Sequence, residues 1–143
     1  MGREGNNVVN FEGLSPEQAA SFAAEWLPAW TGNNPERLAG FYSEDAFYSD
    51  PAVPQGLQGR DAILAHFRKL LGRNPDWVWT QMGAVPMEGG FVNKWRAVIP
   101  VGTSSLTVEG VCLVWLRSRK IVRNEVYFDR SDLLPAIVKN RKI

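Results

Sequence analysis

The sequence predicts an α+β fold in which helices cover the concave face of a curved antiparallel sheet. Three observations carry that prediction. Apolar residues at helical spacing are confined to the first half of the chain, as in Ala19, Phe22, Ala23, Trp26 and Trp30, and again in Ile63, Phe67, Leu70 and Leu71. From Trp77 onward the pattern changes to long strand-like runs, separated by the turns Glu88-Gly89-Gly90, Gly102-Thr103-Ser104 and Arg117-Ser118-Arg119. Finally, 143 residues with 45% hydrophobic content suit one domain with a real core, spanning 1–143 with its body over about 15–135.

In chain order, the polar first ten residues read as loose, with Val8, Val9 and Phe11 laid against the body. Ser15-Pro16-Glu17-Gln18 is a helix start: Ser15 caps, Pro16 fits the first helical position and Gln18 completes a capping box. The helix runs to Trp30, with Pro28 loosening its last turn. Asn34-Pro35-Glu36 opens a second, short helix through Leu38 and Phe41. A short strand carries Tyr48 and Asp50 and stops at Pro51. A loop marked by Pro54, Gly56 and Gly59 leads to the helix over Ile63–Leu71. The strands then run from Trp77 to Met87, Phe91 to Val101, Leu106 to Leu116 and Lys120 to Asp129. Ser131 is placed to cap a final short helix over Leu133 and Leu134.

Composition excludes several function classes. Sixteen basic against 15 acidic residues leave a formal charge of +1, so no global field calls for nucleic acid or a membrane surface. The basic run Lys139-Asn140-Arg141-Lys142 reads as a solvated tail. Cys112 is the single cysteine, which excludes an internal disulfide and a cysteine metal cluster. No apolar leader or membrane-length run occurs, and Asn6 stands where a myristoylation signal after Gly2 needs Ser or Thr. Without an Asn-x-Ser/Thr acceptor, a cytoplasmic location is the expectation.

The chemistry concentrates between Ser43 and Gly72. Tyr48 and Asp50, two apart on a strand, leave the same face, and the next helix carries His66, the chain's only histidine. A carboxylate beside a titratable imidazole is the pattern of general acid–base work. The plainer reading makes Asp50 the initiator of an Asp-Pro turn, His66 a packed helix residue and Tyr48 a cross-strand packing residue.

The element order resembles a known family. Two helices, a strand ending in Asp50-Pro51, the Gly59-Arg60-Asp61-Ala62-Ile63 helix start, and a meander closing on Lys120-Ile121-Val122 and Tyr127-Phe128-Asp129 are similar to the cone-shaped fold of several proteins. These are nuclear transport factor 2, ketosteroid isomerase, limonene epoxide hydrolase and the SnoaL-like polyketide cyclases. That fold hosts enzymes, carriers and dimerisation modules. The isomerase resemblance implies Asp50 as general base and places His66 on the pocket wall. It puts Trp26 where the isomerases carry a phenol donor, and their acidic donor near Glu109 or Val111. The hydrolase resemblance fails in chemistry, because Trp95, Ala97 and Val126 stand where an Asp-Arg-Asp set is needed. Scytalone dehydratase, of the same fold, depends on two histidines, and this chain has one.

The same comparison sets the faces. Asn93, Trp95, Ala97, Asn124, Val126 and Phe128 are expected inward, and Lys94, Arg96, Val98, Arg123, Glu125, Tyr127 and Asp129 outward. The expected binding surface is therefore Tyr48, Trp26, Trp30, Asn93, Trp95, Glu109, Asn124, Val126 and Phe128, around a catalytic Asp50 and His66. Tyr48, Asn93, Asn124 or Glu109 would hold a developing oxyanion. The resemblance implies proton transfer on a small apolar carbonyl compound, with no metal or organic cofactor, in a homodimer paired through the convex face. A binding module without turnover, or a dimerisation domain with a filled cone, remains open on the sequence.

Overall fold

The structure, a computed structural model, describes residues 13–141, with side chains through Val138. The expected contacts of Val8, Val9 and Phe11 and the side chains of the basic tail lie outside the described residues. Helix α1 spans Pro16–Trp26, a 3-10 turn follows over Leu27–Trp30, and α2 spans Pro35–Ala39. Strand β1 is Tyr42–Asp50, β2 is Val53–Gln58 and α3 is Arg60–Arg73. The meander is β3 Val78–Met87, β4 Gly90–Val101, β5 Ser104–Arg117 and β6 Lys120–Phe128, closed by α4 over Leu133–Arg141. Strand order is β2-β1-β6-β5-β4-β3.

The capping box forms as the sequence demands: Ser15 Oγ accepts from the Gln18 N–H at 3.0 Å, and Gln18 Oε1 accepts from the Ser15 N–H at 2.8 Å. Beyond Trp26 the backbone tightens into the 3-10 turn around Pro28, whose missing N–H cannot close an α-helical bond. This turn sets Trp30 beneath the sheet and leaves Thr31 to accept the Trp79 N–H on Oγ1 at 2.9 Å, which ties the start of β3 to the helical layer.

Four readings are corrected. The stretch after Pro51 is a strand and not a loop: β2 pairs antiparallel with β1, Phe47 opposite Gln58 and Tyr48 opposite Leu57. Pro54 and Gly56 are tolerated because β2 is an edge strand, and Gly56 at φ +89° lies where a Cβ would enter the Phe47 ring. The strand carrying Asp50 starts at Tyr42, shortly after α2 ends, and runs parallel to β6, the one parallel pairing among the described residues. At the last helix Ser131 donates its N–H and hydroxyl to Asp129, so the carboxylate rather than the serine organises that corner. The helix is also longer than expected, nine residues.

The expected faces hold. Phe91, Asn93, Trp95, Ala97 and Ile99 of β4 are buried, and opposite them on β5 the inward row is Val108, Gly110, Cys112 and Val114. A bulge at Met82 shifts the register of β3 between Gln81 and Gly83, which lets Gln81 and Ala84 both point inward. Against this concave face pack Phe22, Trp26, Trp30 and Phe67, with ring centroids 5.2 Å apart for Trp30 and Phe67 and 6.2 Å apart for Trp26 and Phe91. Outward, Arg96 reaches Glu109 at 2.9 Å, and Arg123 pairs with Glu125.

Gly110 is the close approach on which the wall depends. A Cβ there would lie 2.3 Å from the Trp95 ring and 2.8 Å from the Tyr127 carbonyl oxygen. Gly110→Ala should therefore lower stability by about 1–3 kcal/mol, the range for overpacking a tight site. Urea denaturation followed by tryptophan fluorescence measures it; an unchanged midpoint would show that Trp95 is free to move aside.

Candidate functional site

The site begins where β1 ends. Alternation puts the Tyr48 and Asp50 side chains on the inner face, and Pro51 turns the chain immediately after them. Asp50 organises that turn with one oxygen: Oδ1 accepts the N–H groups of Ala52 at 2.8 Å and Val53 at 3.1 Å. Its other oxygen serves the cavity. Oδ2 accepts the Tyr48 hydroxyl at 2.7 Å and lies 2.9 Å from Nε2 of His66, on the second turn of α3. The turn-forming reading of Asp50 thus describes one oxygen, while the other faces the phenol and the imidazole.

Burial pushes the Asp50 carboxyl up, but the hydrogen bonds from His66 and Tyr48, the positive charge of the His66 ring whenever it is protonated and the Ala52 N–H outweigh it. The net effect holds the carboxyl below its ordinary range. Tyr48 moves the other way: burial first, then the adjacent Asp50 charge, raise its phenol well above the usual value. It stays a donor. An ionised Asp50 can only accept, so Nε2 of His66 bears the hydrogen and the neutral ring keeps its lone pair on Nδ1. Nδ1 has no hydrogen-bond partner among the described residues, and the His66 side chain is 17% exposed.

These groups line a cavity of about 550 Å³. Its walls are largely aromatic: Trp30 from the 3-10 turn, Trp77 and Trp79 at the start of β3, Trp95 on β4 and Phe128 on β6, with Val126 between. Asp50 is 8% exposed and, among the described residues, is the single carboxylate on that wall. Among the described residues no three His, Cys, Asp or Glu side chains gather closely enough to hold a metal ion.

Seven of the eleven expected site residues meet here: Trp30, Tyr48, Asp50, His66, Trp95, Val126 and Phe128. Four do not. Trp26 is fully buried behind the wall, its indole N–H without a partner. Asn93 accepts from Gln81 Nε2, and Asn124 donates to the Tyr42 hydroxyl at 3.0 Å; both are completely buried and neither reaches the cavity. Glu109 lies on the opposite face, because the β4–β5 register sets it against Arg96 while Gly110 and Val108 take the inner positions. There Arg96 and Lys94 hold its carboxyl below the usual range. Val111, the alternative for that acid, faces outward with it, opposite Lys94.

The sequence reading missed Lys69, Arg73 and Arg130, as well as Trp77 and Trp79. A signal existed for most of them. Lys69 and Arg73 follow His66 at i+3 and i+7, the same helical stripe, and Trp77 and Trp79 alternate into the strand on one side. Arg130 lies beyond a strand end, where no periodicity speaks.

Residues 23–124 match the SnoaL-like domain family, well over half of the chain. The chain belongs to the SnoaL-like family. Solved structures agree on the fold of this SnoaL-like domain. A protein with a ketosteroid isomerase-like fold from Catenulispora acidiphila DSM 44928, in complex with trimethylamine, aligns with a TM-score of 0.71 at 21% identity, over 80% of this chain and 90% of its own. A candidate SnoaL-like polyketide cyclase from Jannaschia Sp. CCS1 gives 0.72 at 14% identity, over 88% and 96%. Another from Shewanella putrefaciens CN-32 gives 0.71 at 13%, over 85% and 86%. At these identities the likeness shows the cone fold alone. No curated protein matches the chain.

The tautomer is directly measurable. In ¹⁵N NMR spectra of neutral His66, Nε2 should carry the hydrogen and Nδ1 should be bare, and Asp50→Asn should weaken that preference. A protonated Nδ1 in the neutral wild-type ring would mean that Asp50 does not set the imidazole's orientation.

Proposed function

We propose that this SnoaL-like domain catalyses proton transfer, isomerisation or cyclisation, on a small apolar carbonyl compound held in the cavity. The observation that carries the reading is the Tyr48–Asp50–His66 constellation, at 2.7 and 2.9 Å, on the wall of an otherwise apolar cavity. Catalytic roles follow from lone-pair counting. A carboxylate offers about four acceptor sites, and all four on Asp50 are engaged, by Tyr48, His66, Ala52 and Val53. Asp50 is therefore the group that orients His66 and holds the charge the ring acquires, and His66 is the base. Nδ1 takes a proton from carbon next to a substrate carbonyl; the resulting enolate is balanced by the imidazolium formed in the same step. Return of that proton to a second carbon completes an isomerisation.

The rival reading, a binding module without turnover, is favoured by one observation. Three of the four groups expected to hold an oxyanion are absent from the cavity, since Asn93 and Asn124 sit behind its wall and Glu109 outside it, and the fourth, Tyr48, gives its hydroxyl hydrogen to Asp50. A filled cone serving dimerisation alone is disfavoured by the open volume of about 550 Å³.

Exchange of the α-hydrogens of 2-tetralone in deuterated water, followed by proton NMR, tests the first reading without the natural substrate. Wild type should accelerate exchange over buffer, and His66→Ala should lose on the order of 10²-fold, the usual scale for one acid–base group. Asp50→Asn should lose activity while retaining ketone binding. If no aromatic ketone exchanges faster than in buffer, yet ketones bind, the binding-module reading replaces catalysis.

We further propose a homodimer through the outer sheet face around Arg96, Arg123, Glu125 and Tyr127. Exposed Val85 and Tyr127 lie on that face, beside half-buried Val92, Leu113 and Trp115. An apolar patch of this kind is what a second subunit covers. Light scattering at micromolar concentration should give twice the chain mass of 16.0 kDa; a monomer mass would exclude this pairing.

A further inference from the structure

The chain's charges are nearly balanced, but the cavity's are not. Lys69 and Arg73 of α3 and Arg130 after β6 all line it, and among the described residues the single carboxylate on the wall is Asp50. Asp50 offsets at most one of the three positive charges, and its oxygens, committed to Tyr48, His66, Ala52 and Val53, offer the cations no free acceptor site. Elsewhere on the surface five arginines find carboxylates, Arg60 with Glu44, Arg68 with Glu36, Arg96 with Glu109, Arg117 with Asp45 and Arg123 with Glu125, while Arg37 and Arg119, away from this cavity, have no carboxylate partner among the described residues. Lys69, Arg73 and Arg130 have no such partner among the described residues. Lys69 and Arg73 are exposed and Arg130 half-buried, so the cations occupy the solvent side of a cavity whose interior is tryptophan and phenylalanine.

We propose that the cavity takes a flat, apolar ring compound bearing an anionic group such as a carboxylate. The ring lies among Trp30, Trp79 and Trp95, near His66, and the anion meets Lys69, Arg73 and Arg130. This assigns the three cations as specificity residues. They favour acids over the corresponding esters and reject ammonium compounds, which the aromatic walls by themselves would accept through cation–π contact. The inference rests on reading the cavity as a ligand site, and it is independent of whether His66 turns the ligand over.

The test is a binding comparison by isothermal titration calorimetry at low salt with three matched probes: 2-naphthylacetate, its methyl ester, and 2-(2-naphthyl)ethylammonium. Wild type should bind the acid roughly tenfold tighter than the ester, with the ammonium compound weakest, and the preference should shrink as salt screens the exposed charges. Lys69→Gln/Arg73→Gln/Arg130→Gln should bind acid and ester within about twofold of each other, with the ester affinity unchanged, which also certifies the variant's fold. His66→Ala should keep the acid preference even where exchange activity is lost, so a failure of the catalytic reading is told apart from a failure of this one. Equal affinity for acid and ester in wild type, tightest binding of the ammonium probe, a preference that survives in the triple variant, or no binding of any probe would each overturn the proposal.

Discussion

A carboxylate placed at the edge of an apolar cavity has to find hydrogen-bond donors for its lone pairs, because burial without them costs several kcal/mol and would neutralise the group. Asp50 meets that constraint from four directions. Two donors are backbone N–H groups from the turn that Pro51 initiates, one is the phenol two residues earlier, and one is the imidazole of α3. Each of those arrangements fixes something larger. The turn sends the chain back as edge strand β2, the phenol bond aligns the inner face of β1, and the imidazole bond docks α3 against that strand with His66 open to the cavity.

Around this anchor the aromatic residues divide the concave face in two. Trp26, Phe22, Phe91 and Tyr42 form the closed part, where Tyr42 is completely buried and burial raises its hydroxyl far above the usual range. Trp30, Trp79, Trp95 and Phe128 form the open part that bounds the cavity. Cys112 lies between them on β5, and burial pushes its thiol up to about 12, so it behaves as a small apolar residue. The boundary is set by backbone features. Gly110 lets Trp95 lie flat on β5, and the bulge at Met82 re-aims β3 so that Trp79 and Ala84 both face the helices.

The outer face follows a different rule. Its charges neutralise one another: Glu109 serves Arg96 and Lys94, and Glu125 serves Arg123 and the Tyr127 hydroxyl. Arg123 in addition stacks over Phe47 at 4.2 Å. On the cavity side the described residues are unbalanced, with three cations and one committed carboxylate. A net charge of +1 for the whole chain conceals both situations, since it records neither pairing nor position.

How much was legible in the sequence follows from the range of the interactions concerned. Local chemistry was readable: the Ser15 capping box, the tightening at Pro28, the three meander turns and the shared face of Tyr48 and Asp50 depend on residues a few positions apart. Inward positions on β4 and β6 were readable because side chains alternate strictly along a strand. On β5 alternation was silent, since Val111, Leu113 and Trp115 make its outer row as apolar as its inner one, and Glu109 was assigned to the wrong side. Strand β2 was hidden by Pro54 and Gly56, which mark a loop unless the strand is known to lie at an edge. The sequence by itself determined the fold class, the turns and the pairing of a carboxylate with the only histidine. Tertiary structure alone decided that Asp50 has no acceptor site left, that Asn93 and Asn124 lie behind the wall, and that Lys69, Arg73 and Arg130 line the cavity without an ion-pair partner among the described residues. Those outcomes depend on how strands shift in register and how α3 is rotated against the sheet, and no local pattern of residues encodes either.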